Sequence, residues 1–160
     1  MMNIQIIAVG TIKEAYLKSG IDEYGKRLRP FVKLEITEIK EERLMKEASS
    51  RDIQKALLNE GERITEKIPS EAYTIALAIE GESCSSEEFA QMLEDVKTYN
   101  SQKIVFLIGG SHGLSETVKQ SASKRLSFSK ATFPHQLMRL IFLEQLYRAF
   151  MIIEGRKYHK

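Results

Sequence analysis

A chain of 160 residues, 42% hydrophobic and 29% charged, is sized for one well-packed domain and composed like an ordinary globular protein, which excludes disordered and fibrous classes. A net charge of +2 is too small to mark a nucleic-acid binder by itself, and a single cysteine, Cys84, excludes an internal disulfide and fits a reducing compartment. No run approaches the roughly 18 apolar residues of a membrane span. The longest apolar region, 137–153, is interrupted by Arg139, Glu144, Gln145 and Arg148. The first ten residues lack the basic start and cleavage site of a secretory signal, so the expected location is cytoplasmic, without a membrane partner.

In chain order, residues 3–9 (NIQIIAV) read as a buried strand closed by Gly10. Residues 13–28 place Ala15, Leu17, Ile21, Tyr24 and Leu28 near helical spacing, and Pro30 ends that helix. Residues 32–39 alternate in part and predict a strand with one wetter face. Ser49 or Ser50 opens a charged helix through Lys67, stopped by Pro69. Residues 73–79 (YTIALAI) predict a second buried strand. Ser85-Ser86-Glu87-Glu88 then forms a capping box, and its helix runs to about Tyr99. Residues 103–108 (KIVFLI) make a third buried strand leading into Gly109-Gly110-Ser111-His112-Gly113-Leu114. A short helix, a polar-capped strand near 125–128 and a long helix from about Pro134 complete the chain. Proline suits a first helical turn because it leaves no N–H unpaired. This alternation predicts a single α/β domain over residues 1–160, with a largely parallel sheet and helices on both faces.

Ligands of open α/β sheets sit beyond the carboxyl ends of the strands. Three such ends stand out: 77–81, 109–113 and 128–133. Glycines 109, 110 and 113 permit positive φ and close backbone approach, or simply a tight turn. Their spacing matches neither a dinucleotide fingerprint nor a phosphate loop. His112, His135 and His159 lie in separate segments and Cys84 has no companion at ligand spacing, so no metal is expected and Cys84 reads as a bystander. No G-x-S-x-G elbow occurs.

The last helix is apolar nearly all round and must be buried in a core or against a partner. Glu144 with Arg148, and His135 with Arg139, are four apart and can pair. Surface ion pairs are one reading; their apolar surroundings favour paired charges or groups facing a site. Tyr158-His159 in a basic tail is either a frayed terminus or an aromatic and cationic group able to stack on a base and hold phosphate. From Lys119 onward bases outnumber acids, whereas residues 35–95 are acid-rich, an asymmetry suited to a basic face.

Four motifs agree in order and spacing with one family: Gly109-Gly110-Ser111-His112-Gly113; Leu126-Ser127-Phe128-Ser129-Lys130-Ala131-Thr132-Phe133-Pro134-His135; Glu144-Gln145-Leu146-Tyr147-Arg148-Ala149; and Tyr158-His159. Over its whole length the chain resembles the RlmH family of SPOUT-class methyltransferases, which methylate N3 of a pseudouridine in 23S ribosomal RNA. The resemblance implies an α/β fold whose C-terminal part is threaded into a trefoil knot, a rare exception to the rule against threaded chains. It also implies S-adenosylmethionine as donor, S-adenosylhomocysteine as product, and a homodimer with the donor site beside its interface. Carried over residue by residue, the donor pocket would comprise Leu77, Gly109, Gly110, Phe128, Ser129, Lys130, Ala131, Thr132 and Phe133. Candidates for assisting N3 deprotonation and holding the base are His135, Glu144, Arg148, Tyr158 and His159. The implied chemistry is one in-line displacement, with no metal and no covalent enzyme intermediate. The alternatives are a non-catalytic nucleotide- or RNA-binding module and a knotted methyltransferase acting on another RNA. No appended RNA-binding domain is expected from these 160 residues, which would suit a structured target such as the assembled ribosome.

Overall fold

The computed structural model describes residues 1–99 and 103–160. Five strands and five helices alternate: β1 (Met2–Val9), α1 (Ala15–Leu28), β2 (Val32–Ile39), α2 (Ser50–Lys67), β3 (Tyr73–Ser83), α3 (Ser86–Tyr99), β4 (Lys103–Ile108), α4 (Glu116–Ser121), β5 (Lys124–Ser127) and α5 (His135–Ile153). The sheet order is β2-β1-β4-β3-β5, and every pairing is parallel.

The central strands β1 and β4 are apolar at consecutive positions because both faces are covered. Ile4, Ile6, Ala8, Ile104, Phe106 and Ile108 enter one core with Phe89, Leu93, Phe142 and Leu146, from α3 and α5. Their alternates Ile7, Val9, Val105 and Leu107 enter the opposite core with Ile64 and Val118, from α2 and α4. Edge strand β2 is half wet, as its partial alternation predicts. The aromatic centre is dense, with the Phe106 and Phe142 rings 4.6 Å apart and Phe89 and Phe128 at 5.1 Å.

Helix starts follow their sequence signals. Ser49 accepts the Asp52 N–H and Asp52 accepts that of Ser49; Ser85 and Glu88 do the same at 3.1 and 2.7 Å. Ser115 caps α4 by accepting the Val118 N–H.

Two features bear on the site. β3 continues past Ile79 to Ser83, with a register slip between Leu77 and Glu82 against β5. Gly81 sits in that irregularity because a Cβ there would lie 2.7 Å from the Leu126 carbonyl carbon. Bulges of this kind re-aim a strand end, here beside the cleft described below. The second is α5, which is only partly buried within one chain. Phe142, Leu143, Leu146, Ala149, Phe150 and Met151 are in the core, while Leu137 and Ile141 are half-buried. The helix packs against both α1 and α3. No helix among the described residues is long and apolar enough to cross a membrane.

Candidate active site

The carboxyl ends of β3, β4 and β5 converge on a cleft of about 790 Å³, lined by residues 77–80, 108–114, 126–129 and 131–135, with Lys119 and Met138. Eight of the nine residues expected around the donor line it: Leu77, Gly109, Gly110, Phe128, Ser129, Ala131, Thr132 and Phe133. Lys130 is exposed and lies outside the lining.

The three glycines serve the turn in different ways. Of the three, Gly113 alone has positive φ, at 79°. Gly109 is required by crowding, since a Cβ there would lie 2.3 Å from the Gly113 carbonyl carbon. Gly110 and Gly113 form an antiparallel bridge in which the Gly113 N–H donates to the Gly110 carbonyl at 3.0 Å. The turn therefore folds back on its own backbone and leaves the cleft wall bare of side chains there.

Glu41, a residue the sequence reading passed over, holds this turn from outside. Its Oε1 accepts from the Ser111 hydroxyl at 3.1 Å and the Ser111 N–H at 3.5 Å. A Cβ at Gly110 would lie 2.9 Å from the same oxygen. The facing loop is braced from within and below. Ser127 donates to the Ser129 carbonyl, the Ala131 N–H donates to the Ser129 hydroxyl, both at 2.9 Å, and Phe128 packs edge-on against Phe89.

The one lysine lining the cleft is already engaged: Lys119 Nζ lies 2.5 Å from Glu80 and 3.5 Å from Glu116. Its hydrogen bond holds the Glu80 carboxyl below the usual range. A site without a free lysine or arginine is poorly suited to phosphate. It suits a nucleoside held by apolar walls and backbone polar groups.

The remaining candidates divide. His135 lines the cleft, and its Nε2 is buried with no hydrogen-bond partner. The expected His135–Arg139 pair does not form. Arg139 is buried and turns instead to Glu38 Oε2 at 2.6 Å and the Gly10 and Val9 carbonyls at 3.0 and 3.4 Å, tying α5 to the ends of β1 and β2. Three acceptors converging from two strands outcompete one imidazole a turn away.

Glu144, Arg148, Tyr158 and His159 form a separate cluster. Glu144 Oε1 accepts from Arg148 Nη2 at 2.5 Å and from the Tyr158 hydroxyl at 3.1 Å. Arg148 Nη1 stands 3.3 Å from His159 Nδ1, and His159 Nε2 stands 2.7 Å from Glu87 on α3. The guanidinium lies 4.8 Å from the centre of the Tyr158 ring, which packs edge-on against Tyr147 at 4.9 Å. The tail is thus folded onto α5 and is no frayed end. The Glu144 hydrogen bond raises the Arg148 pKa further. Burial, with a hydrogen bond to Tyr24 and the Glu144 charge, pushes the Tyr158 phenol well above its ordinary value. Met138 lines the cleft six residues before Glu144, a rise of about 9 Å at 1.5 Å per residue, so the cluster lies more than one helical turn further along α5 than the cleft.

Residues 2–159 match a family profile described as "Predicted SPOUT methyltransferase". Proteins named ribosomal RNA large subunit methyltransferase H are similar from end to end. That of Bacillus pumilus is 52% identical over 99% of this chain and 100% of its own length, that of Ligilactobacillus salivarius 52%, and that of Listeria monocytogenes serovar 1/2a 50%, with the same coverage. Two solved structures share the fold at 14% identity. One is a probable methylase family protein from Haemophilus influenzae, with a TM-score of 0.56 over 99% of this chain and 71% of that one. The other was solved in a study of 2-OH methylation of C/U34 on tRNA, with 0.53 over 97% and 99%. The end-to-end match, with a parallel sheet whose carboxyl edge carries a braced glycine turn and loop, makes this chain a member of the SPOUT methyltransferase family, within its RlmH branch.

Proposed function

We propose that this protein is an S-adenosylmethionine-dependent methyltransferase that acts, as a homodimer in the cytoplasm, on N3 of a pseudouridine in 23S ribosomal RNA of the assembled ribosome. The observation that carries this reading is the cleft at the ends of β3, β4 and β5, in a chain about half identical along its full length to proteins named ribosomal RNA large subunit methyltransferase H. The cleft residues fit the donor. Leu77, Leu126 and Phe128 offer apolar walls to a flat purine, and backbone groups of Gly109, Gly110 and the 128–133 loop are free of bulky side chains or braced in place. In this reading Leu77, Gly109, Gly110, Phe128, Ser129, Ala131, Thr132 and Phe133 hold the donor, and Lys130 sits at the outer lip. When bound, S-adenosylmethionine supplies an electrophilic methyl group carried on a sulfonium.

The chain's own groups then hold the base and its proton. N3 of the base is a weak acid, so a cation near the adjoining carbonyl favours the anion. Arg148, held by Glu144, supplies that cation. Tyr158 stays a neutral phenol and so acts as a hydrogen-bond donor or stacking face, not as a base. His135, whose Nε2 has no partner, is the imidazole free to accept the proton, whereas His159 accepts from Arg148 through Nδ1 and donates to Glu87 through Nε2, which positions the guanidinium.

Reacting atoms must come within about 3–3.5 Å, so the separation of cluster and cleft along α5 argues for a composite site. One protomer's cluster meets its partner's cleft, and the half-buried Leu137 and Ile141 offer apolar surface for that contact. The return of α5 from edge strand β5 to a place against α1 and α3 suits a C-terminal trefoil knot, which belongs to the same reading. Two measurements test it. Calorimetry with S-adenosylhomocysteine should give a specific heat of binding. Purified protein, donor and ribosomes should give methylated pseudouridine in 23S RNA. No heat of binding refutes the donor, and transfer to a different RNA refutes the target.

A further inference from the structure

Beside the donor cleft, across the ends of β1 and β2, lies a second groove of about 710 Å³ between α2 and the loop of residues 40–48. The two share Ser111 and His112, so the groove opens directly onto the cleft wall. Its charges are arranged in a particular way. The carboxylates are turned inward to protein donors: Glu41 to Ser111, Glu60 to the Glu42 N–H at 2.9 Å, and Glu42 to Arg63 at 2.6 Å. Arg63 also donates to the Lys40 carbonyl at 3.0 Å, so the loop is pinned to α2 at its base. The cations lining the groove face the other way. Lys13, Lys40, Arg43 and Lys46 are exposed and make no ion pair among the described residues. Met45, between two of them, is 86% exposed.

Inward-turned acids, outward unpaired cations and an exposed apolar side chain on a pinned loop make a surface for a polyanion that carries apolar bases. We infer that this groove is where the substrate RNA lies: Lys13, Lys40, Arg43 and Lys46 contact the phosphates flanking the target nucleotide, and Met45 packs against a neighbouring base. The shared Ser111–His112 rim would lead that strand from the groove into the donor cleft. This inference rests on the reading above that RNA is the substrate and identifies the face that receives it. Phosphate contacts would come from four residues on one loop and its neighbour, which answers how a chain of net charge +2 holds RNA.

The test compares wild type with a Lys40→Gln, Arg43→Gln, Lys46→Gln triple variant. A control variant removes the same charge at the opposite end of the sheet, by Lys33→Gln, Lys67→Gln and Lys97→Gln, all exposed. Binding to purified 70S ribosomes is followed by co-sedimentation over a KCl series, and methyl transfer by kcat/KM. Each phosphate contact contributes about 0.7–0.9 to the salt slope, so the loop variant should lose about 2 from it and about tenfold or more in kcat/KM. Its affinity for S-adenosylhomocysteine should stay at the wild-type value, which also reports that it is folded. The control should match wild type throughout. A loop variant with wild-type slope and kcat/KM, or a control that falls equally, overturns the inference while leaving the activity standing. A wild type that fails to methylate ribosomal RNA, yet whose ribosome binding still depends on the loop cations, overturns the proposed activity and leaves the groove standing.

Discussion

Gly109 and Gly113 are both glycine for different physical reasons, and alanine at each separates them. A Cβ at Gly109 would lie 2.3 Å from the Gly113 carbonyl carbon and 2.4 Å from its oxygen. That is about an ångström inside the ~3.5 Å at which carbon contacts become favourable. The obstacle is backbone, so no rotamer relieves it, and the turn that walls the cleft must open. Overpacking costs about 1–3 kcal/mol, and a backbone clash belongs at the upper end. At about 2–4 °C per kcal/mol for a chain of this size, Gly109→Ala should lower Tm by about 6–12 °C. Gly113 has φ 79° with nothing within 4 Å of its Cβ position. Gly113→Ala therefore meets only left-handed strain of about 1–2 kcal/mol, or about 2–8 °C. Gly25, inside α1 with open space around it, is the control, and alanine there should stabilise by about 0.5–1 kcal/mol. Thermal unfolding and calorimetry with S-adenosylhomocysteine read all three. Gly109→Ala should lose about tenfold or more in affinity, a change of about 1.4 kcal/mol, and Gly113→Ala less. A Gly109→Ala protein that melts no lower than Gly113→Ala and binds like wild type refutes the reasoning.

Glu41→Ala should weaken donor affinity several-fold through the Ser111 turn, and Glu41→Gln, which keeps one acceptor, should recover most of it. Equal losses in the two variants, or a loss in turnover with donor affinity intact, would contradict a positioning role. Arg148→Met should cut methyl transfer by about 10²–10³, the usual cost of removing a preorganised donor, with S-adenosylhomocysteine affinity unchanged. Full transfer would leave Arg148 as a structural partner of Glu144. Tyr158 has a folded pKa raised above its unfolded value near 10, so its stabilisation is complete below that pH and is lost as pH rises toward the folded value. The stability advantage of wild type over Tyr158→Phe in denaturant titrations should be flat from pH 7 to about 10 and shrink above it. An advantage that grows with pH would show the opposite sign of coupling.

Hydrophobic periodicity made most elements legible, because β1 and β4 are covered on both faces and read as unbroken apolar runs. The end of β3 was not. Residues 80–83 are polar and largely exposed, and they are strand because β5 pairs with them after a bulge, a tertiary cause that leaves no mark in local hydropathy. The sheet order was likewise beyond a pattern reading, since β4 inserts between β1 and β3. The glycine turn and the 128–133 loop were legible as strand ends, and they do meet in one cleft. Glu41 was hidden in the charged run EIKEER, 70 positions from the serine it holds. Arg139 was assigned to its helical neighbour because i,i+4 spacing is visible in sequence, whereas Glu38 and the β1 carbonyls are 101 and about 130 residues away. Sequence did flag Glu144 with Arg148; what it lacked was the tail folding back so that Tyr158 and His159 join them.

The most direct test of the central claim is mass spectrometry of 23S ribosomal RNA from a strain lacking this protein. The N3-methylated pseudouridine should be absent and should return when the wild-type chain is restored. An undiminished methylated-pseudouridine signal in the strain lacking the protein would contradict the assigned reaction.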